Sequence, residues 1–357
     1  MCLDEENGWR LCGCVIDLWL MPLVCTLGLF LNICCLLVFF SHKHHPLVPA
    51  LIVLSMSDCL QLLFSFFVLV IPALHDFSSS EPYSNLGQLA YLSTGLLSPL
   101  LLAFNCASIW TICYISIQRH KAILSPLSNI YSPSKPFKPL IFIALVALLF
   151  NVSKWAEFNW KWEQVPVNST SENYFFLMHE PSELARSERY HRILDNMLYP
   201  VMVYLVPLLL LSVLNLRILS HISRRDVSFE HKSRFAQERR SVILLMSIVI
   251  TFFLCHTGGL LIRFVDQEKH HDSELFVLFK DVINLLFNLN SLANPMLYFL
   301  FTRQFRDLRT MLHSHFSSPG TRCEIIGHPS SHCGPRLRPV STSSFYRSPS
   351  QSGKLLD

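Results

Sequence analysis

The sequence contains little charge. Only 15% of its 357 residues are charged, whereas 51% are hydrophobic. A soluble domain cannot cover so much apolar surface, so the composition excludes a soluble globular protein. It predicts a protein that lies in a lipid bilayer.

Catalytic patterns are also absent from the sequence. The chain has no glycine-rich phosphate loop, no Ser/His/Asp set and no His-Glu-x-x-His motif. An enzyme that acts inside the membrane would need paired ionisable residues at depth, whereas Asp58 is alone there. Neither an enzymatic activity nor a nucleic-acid partner is therefore expected. Neighbouring histidines in loops, such as those at 42–45, are usually solvated, so they predict no metal site.

Seven apolar runs follow one another, and most reach the ~20 residues that a helix needs to cross the hydrocarbon core. The runs are Val15–Phe40, Leu47–Leu74, Leu86–Ile117, Pro139–Trp155, Met197–Leu219, Val242–Ile262 and Leu275–Phe301. The fourth run is the weakest, because Lys154 must extend to the interface. The runs predict an all-α membrane protein with a seven-transmembrane helix bundle in the domain 15–301.

The charges between the runs indicate the orientation of the chain. The loops on one side, with the segment after the seventh run, carry 15 Lys/Arg and 4 Asp/Glu, whereas the other side carries 9 and 18. Because basic residues accumulate in cytoplasmic loops, residues 1–14 are predicted to be extracellular and the carboxyl terminus cytoplasmic. The acidic start of the chain argues against a cleavable signal peptide. In the second outer loop, Asn168-Ser169-Thr170 is a predicted glycosylation site.

The stretch Asn294-Pro295-Met296-Leu297-Tyr298 lies near the end of the seventh run. A proline kinks a membrane helix, and the preceding asparagine places a polar side chain at membrane depth. Residues 302–313 combine basic and apolar side chains at helical spacing, which predicts a short amphipathic interfacial helix. Residues 314–357 are rich in Ser, Pro and His and are predicted to form a disordered cytoplasmic tail.

A second stretch, Gln118-Arg119-His120, ends the third run and is followed by Ala122-Ile123 and Pro126-Leu127. An arginine at the end of a membrane helix needs water or an acidic partner. Together the two stretches resemble the Asp-Arg-Tyr and Asn-Pro-x-x-Tyr motifs of rhodopsin-like G-protein-coupled receptors. The resemblance implies a plasma-membrane receptor for an extracellular ligand that couples to a heterotrimeric G protein, with arrestin and kinases as partners of the tail.

The resemblance also assigns an activation switch. Its members are Arg119, Glu238, Asn294, Pro295 and Tyr298. Glu238 is implied to pair with Arg119 in the inactive state, with an attraction on the order of 4 kcal/mol at ~4 Å before desolvation. The alternative is a surface glutamate that pairs locally with Arg234.

Asp58 is the acidic residue that lies inside the runs away from their ends, and an ionisable group at this depth indicates a functional site. The resemblance implies that Asp58, Ser108, Asn290 and Asn294 line a small polar chamber for a sodium ion. The alternative is a protonated aspartate that only hydrogen-bonds helices together. Beyond this ion, no cofactor is expected.

Several positions depart from the family pattern. Gln118 replaces an acid, His256 replaces a tryptophan in the sixth run, and Gly258 replaces the kinking proline. Thr94 stands in place of the usual cysteine and the second outer loop has none. The family's outer disulfide is therefore absent, and the loop must be held by packing or stay mobile. These departures leave open a divergent chemosensory or non-signalling receptor.

The ligand class is narrowed by other positions. Leu101 stands where amine receptors carry an aspartate, and Asn288 stands where opsins carry the lysine that binds retinal, so both ligands are disfavoured. Outer acidic residues such as Glu157, Glu180 and Glu274 would attract a basic ligand.

The fourth and fifth runs and the loop between them look like invertebrate FMRFamide-type neuropeptide receptors. The similar stretches are Asn151–Phe158, Arg189-Tyr190-His191-Arg192, Tyr199-Pro200-Val201 and Pro207–Asn215. This resemblance implies a short amidated peptide as the ligand. The candidate pocket residues are Asn105, Tyr204, His256, Arg263, Asn284 and Asn288.

A transporter or channel is the remaining alternative, suggested only by the number of helices. It would predict an internal repeat and charged or broken helices along a path. Comparison of the two halves of the sequence shows neither feature.

Overall fold

The computed structural model describes residues 8–41, 47–78, 83–124, 137–166, 173–223, 232–262 and 273–301. Within these ranges, seven helices are long and apolar enough to cross a membrane. They are α1 Gly8–Ser41, α2 Val48–Phe77, α3 Asn85–Leu124, α4 Phe137–Glu157, α5 Glu188–Ile222, α6 Lys232–Leu261 and α7 Glu274–Phe301. The prediction of a seven-helix bundle is confirmed. The first helix begins at Gly8, so part of the predicted amino-terminal segment 1–14 is helical.

The proposed glycosylation site Asn168, the interfacial helix 302–313 and the tail 314–357 lie outside the described residues. They stay predictions, as does Arg263 as a pocket residue.

Three helices contain a wider π-type turn just before or around a proline. These turns cover Ile16–Leu20 in α1, Phe66–Val70 in α2 and Pro200–Leu205 in α5. Pro22, Pro72 and Pro207 each follow such a turn, and the carbonyl four residues earlier lies within it. A proline has no N–H for that carbonyl and its ring collides with it, so the extra residue in the turn relieves the collision.

The core of the bundle is formed by apolar side chains from different helices. Phe39 of α1, Leu54 of α2, Ile109 of α3, Leu211 of α5 and Phe252 of α6 are all fully buried. Helix α3 packs against α2, α4 and α5, whereas α7 packs against α1, α2 and α6. Helix α3 therefore holds one half of the bundle together and α7 the other.

The outer surface of the bundle carries many large apolar side chains. Large side chains such as Phe30, Phe142, Leu149, Leu209 and Leu254 are more than half exposed. In water so many exposed apolar groups would drive association, whereas in a bilayer they contact lipid. The protein is a multi-pass membrane protein.

The segment between α4 and α5 forms a β-hairpin. Strand β1, Phe158–Pro166, pairs antiparallel with strand β2, Asn173–Pro181. The base of the hairpin is closed by Ser182, whose hydroxyl donates to the carbonyl of Ala156 at 2.6 Å.

Gln88 of α3 holds the hairpin without a disulfide. Its side-chain Nε2 donates to the carbonyl of Leu177 at 2.7 Å, and its Oε1 accepts from the Leu177 N–H at 2.9 Å. The amide therefore acts as a short extra strand beside β2. Thr94, at the usual cysteine position, instead donates to the carbonyl of Ala90 within α3 at 2.9 Å.

Aromatic packing adds to this attachment. The Trp160 ring lies against Gly95 of α3, where an added Cβ would be only 2.6 Å from Cη2 of the ring. His179 pairs with Trp160 across the hairpin and contacts the rings of Tyr91 and Phe158. Burial among these rings lowers the pKa of His179, because the charged imidazole is poorly solvated there. The sequence left open whether this loop is held by packing or is mobile. In the structure it is a hairpin that packs against α3.

Replacing Gln88 with Met should loosen the middle of β2 at Leu177. The change keeps the length of the side chain but removes both hydrogen bonds, at about 1 kcal/mol each. Hydrogen exchange at the Leu177 amide should become faster in the purified protein. Thr94→Val, which removes a hydroxyl bonded only within its own helix, is the control and should leave that exchange rate unchanged. Equal exchange in wild type and Gln88→Met would show that the amide does not hold the hairpin.

Candidate functional site

A cavity of about 240 Å³ lies in the outer half of the bundle among α3, α5, α6 and α7. Four of the sequence-predicted pocket residues line it together, namely Asn105, Tyr204, His256 and Asn284. Asn288 is not among the residues lining this cavity. Its amide instead donates to the carbonyl of Asn284 at 2.9 Å and lies 3.4 Å from Sδ of Met21.

His256 is held firmly at the inner end of this cavity. Its ring stacks on Phe252 with centroids 4.5 Å apart and lies 5.1 Å from the ring of Phe287. Its Nδ1 donates to the Phe252 carbonyl at 3.2 Å. The residue that replaces the family's tryptophan therefore keeps the aromatic packing, and it carries a second ring nitrogen that an indole does not have.

Two glycines bring α6 and α7 close together beside the cavity. An added Cβ at Gly259 would lie 2.4 Å from Cζ of Phe287, and one at Gly258 would lie 3.0 Å from Cγ1 of Ile283. The sequence suggested that Gly258 replaces a kinking proline. In the structure both glycines allow side chains of α7 to pack directly on the α6 backbone.

Tyr204 connects α5 to α6 on the other side of the cavity. Its hydroxyl is 2.9 Å from Oγ1 of Thr257, and its ring stacks on Phe252 at 6.1 Å. Because Phe252 also stacks on His256, one buried ring contacts residues of the cavity wall from two helices.

A second, acidic cavity of about 490 Å³ lies between the outer ends of α1, α2 and α7. Its charged lining residues are Arg10, Asp17, Asp76, Glu274 and Asp281. Asp17 and Asp281 are close enough to interact electrostatically. Asn284 lines both cavities, so the two are adjacent.

The sequence did not single out Asp17 and Asp281 as site residues. Both were counted only as charges on the outer side, because each lies near the end of an apolar run. A signal was present, since each aspartate interrupts a helical stretch of apolar residues, but their approach depends on the packing of α1 against α7.

Other outer carboxylates are already paired within the protein. Lys154 donates to Glu157 at 2.6 Å and to Asp195 at 2.7 Å, which joins α4 to α5. In the hairpin, Lys161 donates to Glu180 at 2.5 Å and lowers the pKa of that carboxyl. Of the acids expected to attract a ligand, Glu157 and Glu180 therefore have basic partners. Glu274 lines the acidic cavity together with Arg10.

Asp58 lies deeper, in a polar cluster between α2, α3 and α7. It is fully buried, and its two carboxylate oxygens accept from Oγ of Ser108 at 2.6 Å and from Nδ2 of Asn294 at 2.8 Å. Asn290 is also buried, and its Nδ2 has no hydrogen-bond partner among the described residues. The predicted chamber residues are thus all buried in this part of the bundle, and their oxygen atoms are of the kind that a hard cation binds.

The proline of α7 connects the same cluster to α1. Pro295 has no N–H for the carbonyl of Ser291, four residues earlier. Nδ2 of Asn32 donates to that carbonyl at 3.2 Å, and also to the carbonyl of Gly28 at 2.9 Å. The backbone group released by the proline is therefore satisfied by a neighbouring helix, as the membrane interior requires.

At the inner end of the bundle, Arg119 of α3 and Tyr298 of α7 are close enough to interact electrostatically. Tyr298 is buried and its ring packs edge-on against Phe39 at 6.0 Å. Gln118, which replaces the usual acid, hydrogen-bonds the hydroxyl of Tyr114. Glu238 lies on α6, but its side chain is outside the described part of the structure, so the pairing with Arg119 stays a prediction.

Comparison with known proteins agrees with this geometry. Residues 31–298 match the model of the family described as 7 transmembrane receptor (rhodopsin family). The chain is 23% identical over 326 residues to the FMRFamide receptor of Drosophila melanogaster, covering 85% of this chain and 57% of that protein. It is 26% identical over 324 residues to the neuromedin U receptor homolog nmur-2 of Caenorhabditis elegans, covering 82% of this chain and 78% of that protein.

A third relative, the neuropeptide Y receptor type 6 of Oryctolagus cuniculus, is 23% identical over 223 residues, with 58% of this chain and 57% of that receptor covered. The chain thus spans a little over half the length of the FMRFamide receptor that it matches. The family match covers most of the chain, including the helices that line the smaller cavity and hold the Asp58 cluster, whereas the α1 residues that line the acidic cavity lie before its start. The chain therefore belongs to the rhodopsin family of seven-transmembrane receptors.

Proposed function

We propose that the protein is a plasma-membrane receptor for a short extracellular peptide with a basic residue and an amidated carboxyl terminus, and that it signals through a heterotrimeric G protein. The observation that carries the proposal is the pair of adjacent outer cavities, one lined by four carboxylates and a single arginine, Arg10, and the other by aromatic and amide side chains. The name of the Drosophila relative, FMRFamide receptor, supports this choice. A peptide that ends in Arg-Phe-amide has a cationic group and an aromatic amide in adjacent positions. The cationic group would fit the acidic cavity, and the aromatic amide would fit the cavity beside it.

The acidic cavity would take the basic side chain. Asp17 and Asp281 place like charges near each other, and a cation between them relieves their repulsion. The acidic cavity lies on the side of the membrane that the distribution of basic loop residues predicts to be extracellular, together with the amino terminus. A basic residue of an extracellular peptide would therefore reach it from outside the cell. Outside the described residues, Asn168 as a glycosylation site and the tail as a partner of kinases and arrestin belong to the same proposal.

On the inner side, the switch would act through movement of α6. Peptide binding would favour the outward position of α6, in which Arg119 is released from Glu238 and the inner ends of α3, α5 and α6 open for the G protein. The closeness of Arg119 and Tyr298 supports this assignment, because it brings the two family motifs together at one end of the bundle.

A sodium ion in the Asp58 cluster would stabilise the resting state. Ser108 and Asn294 each hydrogen-bond to Asp58, and Asn290 is buried on the same helix as Asn294. A cation there would neutralise the one carboxylate of the cluster and bind the surrounding oxygens, which links α2, α3 and α7.

Amidated neuropeptides applied to the outside of intact cells that express the receptor should promote nucleotide exchange on a G protein. Arg119→Ala should abolish exchange at saturating peptide while peptide binding persists, because the arginine lies at the far end of the bundle from both cavities. Arg192→Ala, which removes an exposed arginine at the outer end of α5 that pairs with Glu188, is the control and should signal normally. Peptide binding without exchange on any G protein in wild type would instead favour the divergent, non-signalling receptor.

The acidic cavity can be tested with Phe-Met-Arg-Phe-amide and with the same peptide carrying neutral citrulline in place of arginine. Asp281→Asn should weaken binding of the arginine peptide about tenfold, equivalent to about 1.4 kcal/mol, and should leave the citrulline peptide unaffected. Glu188→Gln removes an exposed outer carboxylate that lines neither cavity, and it should change neither affinity. Equal losses for both peptides would mean that Asp281 acts on the fold and not on the ligand charge.

Sodium should raise the midpoint of thermal unfolding of the purified receptor more than potassium or N-methylglucamine at equal ionic strength. Asp58→Asn keeps the size of the side chain but removes its charge, so it should abolish the difference among cations. Glu188→Gln serves again as the control and should retain the sodium effect. A wild-type receptor with the same unfolding midpoint in all three salts would rule out the sodium site.

A further inference from the structure

The floor of the smaller outer cavity has two buried acceptor atoms without partners. Asn105 of α3 is 5% exposed and His256 of α6 is 4% exposed, and both line this cavity. Oδ1 of Asn105 and Nε2 of His256 make no hydrogen bond to any described residue. A buried polar atom without a partner costs free energy, which a hydrogen-bond donor on a ligand in the adjoining cavity would recover.

The hydrogen bond made by Nδ1 of His256 determines whether Nε2 accepts or donates, and therefore which kind of ligand group can bond to it. Nδ1 faces the Phe252 carbonyl at 3.2 Å and must carry the proton, because a carbonyl oxygen can only accept. In the neutral ring Nε2 is then an acceptor. A second proton would place a cation between the rings of Phe252 and Phe287 in the interior of the bundle. Together with Oδ1 of Asn105, the floor therefore presents two acceptors and calls for a ligand group that donates.

Three common peptide groups can be compared against this floor. A carboxylate has only acceptors, so the two floor atoms would repel it and remain unpaired. A guanidinium donates but brings a full positive charge into the cavity. The ionisable residues that line this cavity are His256, two tyrosines and Lys280, so the charged residue there is also a cation. A primary carboxamide is neutral and has two N–H donors on one nitrogen, which matches two acceptors.

Lys280 does not reverse this preference. Its Nζ lies 5.3 Å from the centre of the Phe276 ring, one turn nearer the outer end of α7. The ammonium is thus directed toward the outer end of α7, away from His256. At about 240 Å³ the cavity is smaller than the ~300–1,000 Å³ of pockets for drug-sized ligands, so it holds one terminal residue of a peptide.

We propose that Asn105 and His256 are the specificity-determining residues that select a carboxyl-terminal amide over a free carboxylate. The inference rests on the proposed function, since it assumes that a peptide end enters this cavity. It adds the atoms that distinguish the amidated form: Nε2 of His256 and Oδ1 of Asn105 accept from the terminal NH₂ group, while the aromatic side chain of the last residue contacts Phe287 and Tyr204.

The test compares two dipeptides that differ only in the terminal group, Arg-Phe-amide and Arg-Phe with a free carboxylate. Their stabilisation of the purified full-length receptor against thermal unfolding is measured over a range of concentrations. The amide should reach half of its maximal effect at a concentration about tenfold or more below that of the acid, as expected when buried acceptors lose their donor. This readout needs no G protein.

Two variants on different helices locate the selectivity. His256→Phe keeps the ring stacked between Phe252 and Phe287 but removes the acceptor, and Asn105→Leu removes the other. In each, the preference for the amide should fall to about twofold or less, because the amide loses a bond that the acid never makes. Ser247→Ala removes an α6 hydroxyl that bonds only to Ile243 within its own helix, and it should keep the full preference.

Three results would overturn the inference. The acid form binding as well as the amide, or neither form stabilising the wild-type receptor, would exclude an amide-selective floor. A preference that survives in both variants would place the selectivity elsewhere. Amide selectivity without nucleotide exchange would leave this inference intact and remove the signalling part of the proposed function, whereas exchange driven equally by acid and amide peptides would do the reverse.

Discussion

A carboxyl group in the hydrocarbon region of a membrane must find its hydrogen-bond donors inside the protein, and in this receptor Asp58 takes them from Ser108 and Asn294. The requirement fixes the relative positions of three helices, because a shift of α3 or α7 would leave a buried oxygen unpaired. Asn32 extends the same cluster to α1 through the carbonyl that Pro295 leaves free. The polar residues of the bundle interior therefore determine which helices are neighbours, whereas the apolar residues fill the space between them.

The two buried acceptors of the ligand cavity obey the same rule with the opposite outcome. Around Asp58 the donors belong to the protein, so the cluster holds helices together. At Asn105 and His256 the described part of the protein supplies no partner for one acceptor atom each, and under the proposed function a ligand would supply it. The satisfied polar groups around Asp58 thus hold helices together, whereas the unsatisfied acceptors beside the cavity are the ones that we propose take part in recognition.

The sequence predicted those features whose pattern lies along a single stretch of the chain. Apolar runs of helical length identified all seven helices, and the motifs around Arg119 and Pro295 identified the family, because both are read along one stretch of chain. Asn105 and His256 were found from their positions in that family. The pair of hydrogen bonds between Gln88 and Leu177 and the approach of Asp17 to Asp281 were not predicted. A glutamine beside an outer loop and two aspartates near helix ends carry no pattern of their own, and their roles arise only when separate elements pack.

Several weak contacts between α3 and the hairpin take the place of the family's outer disulfide. A disulfide fixes two backbones at one point, whereas here Gln88 pairs with the β2 backbone, Gly95 admits the Trp160 ring and His179 packs among three aromatic side chains. Each of these contacts is weak by itself, at about 1 kcal/mol for a hydrogen bond, but they lie on successive turns of α3. A displacement of the hairpin has to break them together. The position of β2 over the bundle is therefore held by several small contacts in place of one covalent bond, and a change at any single residue removes only its own share.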